Sequence, residues 1–374
     1  MARSPAAATP AARVPAARIV CWQLALVLAA VAVTRPWPYA TGLGTASAVL
    51  VGLTAVRVRG EWLSTRLRRR AGWLLRRRAY LLPPAGGTAP EALLPALLPG
   101  ARLVTAQFGG ELAGLVSQPG ALVAVLRPAA DRPGSTGTES LGSSSPAGTD
   151  SVADLIRAAF SGTLLTEHAP DQQPQLELDL ILHRGPQQAR LRAWLAVRAR
   201  RDADAADDEL LRVALGNTAR RMLRRARRSG LDLTLLPERE LLATVRALTH
   251  TGPGREALRE RWRYWQAGPV TQIGMRLRGT GTGLLDRASV LHRVFAQVPD
   301  VALTAAVSAH SPGLAGVLRI ATTSAEHADA AAAQLALLGP DHGVRLERLD
   351  GLHRRAVAAS LPIGAPMPIG ETQP

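Results

Sequence analysis

Gly316–Leu346, GVLRIATTSAEHADAAAAQLALLGPDHGVRL, decides how the long C-terminal part of this chain is read. Gly316–Thr322 (GVLRIAT) is short, apolar and β-compatible, and Ser324–Leu338 is an Ala- and Leu-rich helix opened by a capping serine. Gly339-Pro340 stops that helix, and Gly343-Val344-Arg345-Leu346, with Leu349 beyond it, starts a further extended run. An echo stands upstream, where Gly230-Leu231-Asp232-Leu233 with Leu236 also follows a helix. Strand, helix, strand given twice predicts two similar α/β units, each on the order of a hundred residues.

The helix before the upstream copy is the best determined in the chain. Leu210, Leu211, Ala214, Leu215, Thr218, Met222, Leu223 and Ala226 keep helical spacing. Asp204, Asp207, Asp208 and Glu209 crowd its start and Arg224, Arg225, Arg227 and Arg228 its end, so both clusters complement the helix dipole, and Gly230 stands where a C-terminal cap belongs. Its basic face reads as a solvated surface. Further upstream, Gly120–Pro128 reads as a strand and Val152–Phe160 as a short helix. Leu176–Leu182 and Ala189–Val197 read as strands of a hairpin around Gly185-Pro186. Residues 129–150 are Gly, Ser, Thr and Pro with hardly any large apolar group, a flexible insertion. The folded region therefore runs from 83 to 364, with a Leu-, Ala- and Pro-rich entry at Pro83–Pro99 and a disordered tail at 365–374.

The N-terminal part is of another kind. Behind a basic tail (1–18), Ile19–Val33 is apolar but for Gln23, and Tyr39–Val56 follows after Thr34-Arg35-Pro36-Trp37-Pro38. Fifteen residues at ~1.5 Å each fall somewhat short of a hydrocarbon core. The two runs together, with Trp37 and Tyr39 at a headgroup boundary, predict a two-helix transmembrane hairpin over 19–57. Gly42, Gly44, Ala46 and Ala48 offer a small-residue surface for close packing on a neighbour. Arg3, Arg13 and Arg18 precede the first run and a dense arginine series follows the second, while only Arg35 lies between. The positive-inside rule then puts both termini and the large domain in the cytoplasm, at the inner membrane. The competing reading is a signal peptide with Ala30-Val31-Ala32 as its cleavage site, and it leaves the second span, and so the orientation, unchanged.

Residues 58–82 form a basic juxtamembrane segment. In Glu61–Tyr80 (EWLSTRLRRRAGWLLRRRAY), Trp62, Leu63, Leu67, Ala71, Leu74 and Leu75 fall near one helical side, with arginines on the rest. Trp62, Arg68, Arg69, Arg70, Arg76 and Arg77 are candidate contacts to anionic lipid or a partner, and Trp22 is another on the first run; the alternative is that the segment is a solvated basic extension of the second span. The formal charge is +16 and no lysine occurs, so arginine carries it all, in the Ala-, Gly- and Pro-rich composition of a GC-rich genome. Because the densest charge lies beside the membrane and no nucleic-acid motif is present, no nucleic acid is expected as partner.

Chemistry finds little support in the residues. Without lysine there is neither a Walker loop nor a Schiff base. Gly279-Thr280-Gly281-Thr282-Gly283-Leu284 has leucine where a dinucleotide fingerprint needs its third glycine, and reads as a turn. The single Cys21 excludes an intrachain disulfide and a cysteine zinc cluster. His183, His250, His292, His310, His327, His342 and His353 show no ligand spacing and read as surface or loop residues. No catalytic, cofactor-binding or metal residue is assigned; the alternative is a membrane-tethered α/β enzyme of glycosyltransferase-like type. Trp262 and Trp265, three apart in Arg261–Gly268, would share a helix face as a partner contact, against the reading in which they cover the sheet.

The succession of features resembles EccE, the membrane component of actinobacterial type VII (ESX) secretion systems. Val20–Leu26 (VCWQLAL), Leu53–Gly60 (LTAVRVRG), Arg261–Gly268 (RWRYWQAG) and the closing Leu361–Gly364 (LPIG) carry the resemblance. It implies two N-terminal spans followed by a cytosolic α/β domain. It also implies a structural subunit that packs beside the multi-spanning channel subunit and the FtsK-type ATPase of the secretion complex, with no catalytic residues.

Overall fold

A computed structural model describes residues 16–58, 61–83, 89–108, 110–129, 147–161, 164, 174–188, 190–201, 207–252, 257–279, 284–309 and 313–364. The chain divides into two units, one reaching to Arg76 and one from Arg77 onward. The expected basic tail 1–18 (save its last three residues), residues 130–146 of the expected insertion, the turn after Gly279 and the tail 365–374 lie outside the described residues. Residues 147–150, expected in that insertion, are helical and begin the helix read from Val152.

In the N-terminal unit the two apolar runs become α1 (Ala16–Val33) and α2 (Trp37–Ala55), joined by a tight turn at Thr34-Arg35 and restarted by Pro36 and Pro38. They pack antiparallel. Trp22 Nε1 donates to Thr54 Oγ1 at 3.0 Å and Ser47 Oγ to the Ala25 carbonyl at 2.8 Å, so the seam on α2 is Leu43, Ser47, Leu50 and Thr54. The small residues Gly42, Ala46 and Ala48 are exposed instead of lying in this seam. A two-residue ladder, β1 (Arg57–Val58) with β2 (Glu61–Trp62), leads into α3 (Leu63–Leu75).

Among the described residues no helix is both long and apolar enough to cross a membrane. The reason is local: the apolar part of α1 begins only at Ile19, and α2 dilutes its leucines and valines with Thr41, Thr45, Ser47, Thr54 and three glycines. The basic helix is also shorter than expected. It stops at Leu75 with Arg76 already extended, at the start of a run of consecutive arginines that repel one another.

The second unit is mixed α and β around one large sheet, as the sequence predicts in outline. Its elements are β3 (Ala79–Leu81), α4 (Ala89–Leu97), β4 (Arg102–Phe108), β5 (Glu111–Gln118), β6 (Ala121–Pro128), α5 (Ala147–Phe160), β7 (Leu176–Arg184), β8 (Arg192–Arg200), α6 (Asp208–Arg228), β9 (Leu233–Leu235) and α7 (Glu238–Thr249). There follow β10 (Ala257–Glu260), β11 (Trp265–Ala267), β12 (Val270–Gly279), α8 (Leu284–Ala296), β13 (Ala302–Ser308), β14 (Leu314–Thr322), α9 (Ala325–Leu338), β15 (Val344–Arg348) and α10 (His353–Ala359).

The strand order β3-β10-β11-β12-β14-β13-β7-β8-β6-β5-β4, with β15 on β12 and β9 on β6, contains one pattern twice. β6-α5-β7-β8-α6-β9 has the spatial order β9-β6-β8-β7, and β12-α8-β13-β14-α9-β15 has β15-β12-β14-β13. Each is a split β-α-β-β-α-β unit of ferredoxin-like topology. Each is preceded by a hairpin (β4-β5, β10-β11) and followed by a helix (α7, α10). The repeat read from Gly230 and Gly343 is therefore real at the level of topology: both glycines leave a helix with positive φ, +78° and +71°, and β9 and β15 follow them.

Two features go beyond the sequence reading. The units do not stand apart, because β7 pairs β13 from Leu303 opposite Arg184 to Ser308 opposite Asp179, fusing both into a single sheet. Every pairing described is antiparallel, because within each unit the third strand slots between the first two. The sheet is covered on both sides. Leu122, Leu180, Leu195, Ile273, Leu303 and Leu318 face the layer of α5, α6, α8 and α9. Val123, Ile181, Trp194 and Ala306, one step out of phase, face α4, α7 and α10.

Candidate membrane and partner surfaces

The candidate residues fall into three environments. On the hairpin, Val20, Leu24, Leu26, Val27, Val31, Val33, Trp37, Tyr39, Val49 and Val51 are exposed, and only Ala25, Ala32, Ser47 and Thr54 among its described residues are buried. Its hydroxyls are not part of that surface in the same sense. Ser47 and Thr54 are buried and bonded across the seam, while Thr41 and Thr45 return their hydroxyls to carbonyls one turn back. Trp22, expected as a bilayer or partner contact, is partly exposed but directs its indole N–H inward to Thr54.

On α3 none of the residues is buried, and Leu67, Leu74 and Leu75 are exposed beside Arg68, Arg69 and Arg70. The last arginines leave this surface. Arg76 closes the helix, and Arg77 in the second unit stacks 5.3 Å from the Tyr80 ring and donates from Nε to the Ala79 carbonyl. Arg77 is thus tied to β3, which pairs with β10.

Trp262 and Trp265 do not share a helix face. Arg261 and Tyr264 close a tight hairpin between β10 and β11, a strand–turn–strand that the i, i+3 spacing of the tryptophans disguises. Trp265 is fully buried, its ring 6.2 Å from that of Tyr80, whereas Trp262 is half-buried at the turn. The reading in which tryptophan covers the sheet holds for Trp265.

The sheet face under α7 and α10 carries a set of buried polar groups that the sequence reading missed. Arg319 on β14 is 1% exposed, donates to Gln272 Oε1 at 2.6 Å and to Thr304 Oγ1 at 3.3 Å, and burial brings its pKa down to about 9. Gln272 Nε2 in turn donates to the Thr249 carbonyl at the end of α7. Arg198 on β8 pairs with Asp179 at 3.1 Å and Glu177 at 3.3 Å and donates to the Gly364 carbonyl, which fastens the C-terminal stretch across the sheet. His353, expected at the surface, is fully buried at the start of α10, where its Nδ1 accepts the Gly274 N–H. These groups are engaged in joining strands to helices. Among the described residues no group of three or more His, Cys, Asp or Glu could hold a metal ion.

Two titrations in this layer oppose each other. Burial raises the Asp179 carboxyl to about 6, so its contribution to stability is present below its unfolded value and lost as pH rises through about 6. Burial, with Arg319 nearby, lowers His183 to about 4, so its contribution is present above 6.5 and lost as pH falls through about 4. His183→Gln removes the second slope and leaves the first. The variant is expected to gain stability relative to the parent on going from pH 6.5 to pH 4.5, read from urea midpoints, and an unchanged difference between the two proteins would refute the assignment.

Comparison with known proteins gives no family. No protein-family model and no curated protein matches the chain. Among solved structures, CrmK, described as a flavoenzyme involved in the shunt product recycling mechanism in caerulomycin biosynthesis, is matched with a TM-score of 0.28 and 13% identity. The match covers 60% of this chain and 42% of that one, and at this score it bears on neither fold nor chemistry.

Proposed function

We propose that the chain is a membrane-anchored, non-catalytic subunit of a protein-secretion complex of the type VII kind, held in the inner membrane by the α1–α2 hairpin with its large domain in the cytoplasm. One observation carries the anchoring: the hairpin satisfies its own hydroxyl and indole groups and turns valines and leucines outward along both helices. A pair of helices that bond each other inserts more readily than either alone, because the indole and hydroxyl groups on the seam are already satisfied. Trp37 and Tyr39 at the turn suit one interface, and the arginines of α3 suit the anionic leaflet at the other.

The secretion role rests on the resemblance of the whole succession to EccE, with the FtsK-type ATPase and the multi-spanning channel subunit as partners. Co-purification of the full chain with that ATPase from membranes tests it. A solitary monomer that turns over a nucleotide sugar would replace this reading with the enzymatic one. The orientation is tested by a reporter fused after residue 90, which should be active only in the cytoplasm. The anchor has its own test. Val27→Arg puts a charge on the outward face, worth ~2.5–3.5 kcal/mol against insertion at a helix centre. The variant is expected to move from the carbonate-resistant membrane fraction to the extractable one, and wild-type retention would count against a bilayer-embedded hairpin.

A further inference from the structure

The duplicated topology exposes an asymmetry between the two ends of the sheet. The hairpin β10-β11 that precedes the second unit does not end the sheet, because β3 lies on the outer edge of β10, with Ala79 opposite Arg259 and Leu81 opposite Ala257. The corresponding hairpin β4-β5 of the first unit does end it. Gly114 gives its N–H to the Leu236 carbonyl, on the side of β5 away from β4. Its partner Thr105, and with it Leu103 and Gln107, therefore point their own N–H and C=O groups away from β5. Among the described residues, nothing hydrogen-bonds to those three backbones.

Sheet edges are normally blunted by proline, a bulge or inward charge. β4, RLVTAQF, has no proline, and Arg102 at its first position is its sole charge. The same sequence is complementary to itself. In an antiparallel pairing centred on Thr105, Leu103 meets Gln107, Thr105 meets Thr105 and Val104 meets Ala106, so each residue keeps its face of the sheet. Arg102 falls opposite Phe108, so the two strands themselves bring no like charges together; the acidic group beside the axis, Glu238, accepts from the Thr105 hydroxyl of its own chain. Leu112, exposed on β5 opposite Gln107, lies in the row that an incoming Leu103 would extend.

We propose that β4 is a dimerisation edge, joined to β4 of a second copy of this chain about a twofold axis at Thr105 so that the sheet runs on between the two molecules. The inference is independent of the secretion reading. The test uses the full chain in detergent with Cys21 replaced by Ser, so that any disulfide reports only an introduced cysteine. Thr105→Cys is expected to give a covalent dimer under mild oxidation, because a residue on the axis meets itself within disulfide reach. Leu103→Cys alone is expected to give none, whereas Leu103→Cys with Gln107→Cys is expected to crosslink. In a chain without added cysteines, Thr105→Pro removes the central donor and is expected to weaken dimerisation at least tenfold by sedimentation. Failure of Thr105→Cys to crosslink overturns the proposal. Equal crosslinking by Leu103→Cys alone overturns the register, and with it the dyad. A monomer carrying another protein's strand on β4 overturns the choice of occupant.

Discussion

Trp265→Ala is expected to destabilise the second unit by about 3–5 kcal/mol, the cost of emptying a fully buried aromatic site. Native domains have roughly 5–15 kcal/mol in all, so the loss is a large share. The effect should exceed simple truncation, because Trp265 supports the Tyr80 ring, and Tyr80 in turn donates its hydroxyl to the Arg77 carbonyl and accepts from Arg354 Nη1 at 2.7 Å. Removing the indole loosens β3 and the start of α10 together. Thermal unfolding followed by circular dichroism should show a midpoint lower by on the order of 10 °C. Trp262→Ala, at a half-buried turn, should move it by only a small fraction of that. A folded Trp265→Ala chain of unchanged midpoint that no longer joins its complex would return this residue to the partner surface.

The two tryptophans also show where periodicity misleads. Spacing of i, i+3 fits a helix, but it arises equally when a turn of four residues puts one ring at a hairpin tip and the other at the next strand's start, as Trp262 and Trp265 do. Where an element is long and bounded by its own caps, the sequence is decisive. Asp207 accepts from the Glu209 N–H and Ser324 from the His327 N–H, and α6 and α9 begin there. The hairpin of β7 and β8 and the strand β6 were legible from their short apolar runs, and α5 was legible in kind, although it starts at Ala147 and not at Val152.

Pairing partners were not legible. β-α-β order along the chain is the same whether the two strands touch or admit a third between them, and only the register of β8 and β14 settles it. β4 escaped because it is half-exposed and weakly alternating, and β5, though buried from Ala113 onward, because Gly114, Ser117 and Gln118 break up its apolar run. The buried polar layer escaped because Arg319, Gln272 and His353 look like surface residues until the opposing helices α7 and α10 are in place. The hairpin's apolar runs were visible directly, but the bonding of Ser47 and Thr54 across its seam needs both helices at once.

Gly274→Ala is the second large effect expected, and it tests how α10 is held. Gly274 sits mid-strand in β12, its N–H on His353 and its carbonyl accepting from Leu349, and a Cβ built there would overlap that of Ala356 on α10. A methyl cannot be absorbed by a rotamer change on either residue. The helix must lift, and with it go the buried His353 and the Arg354 N–H bond to Glu260 at 2.9 Å. Overpacking of this kind costs typically ~1–3 kcal/mol, and detachment of α10 places this case at the upper end. Ala356→Gly by itself costs about 1 kcal/mol through helix propensity. Combined with Gly274→Ala it vacates the overlapping position, so the double variant should be more stable than the Gly274→Ala single variant. That non-additivity, measured by urea unfolding of all four proteins, is the signature of direct contact. Additive losses would mean that β12 and α10 are not packed through this glycine.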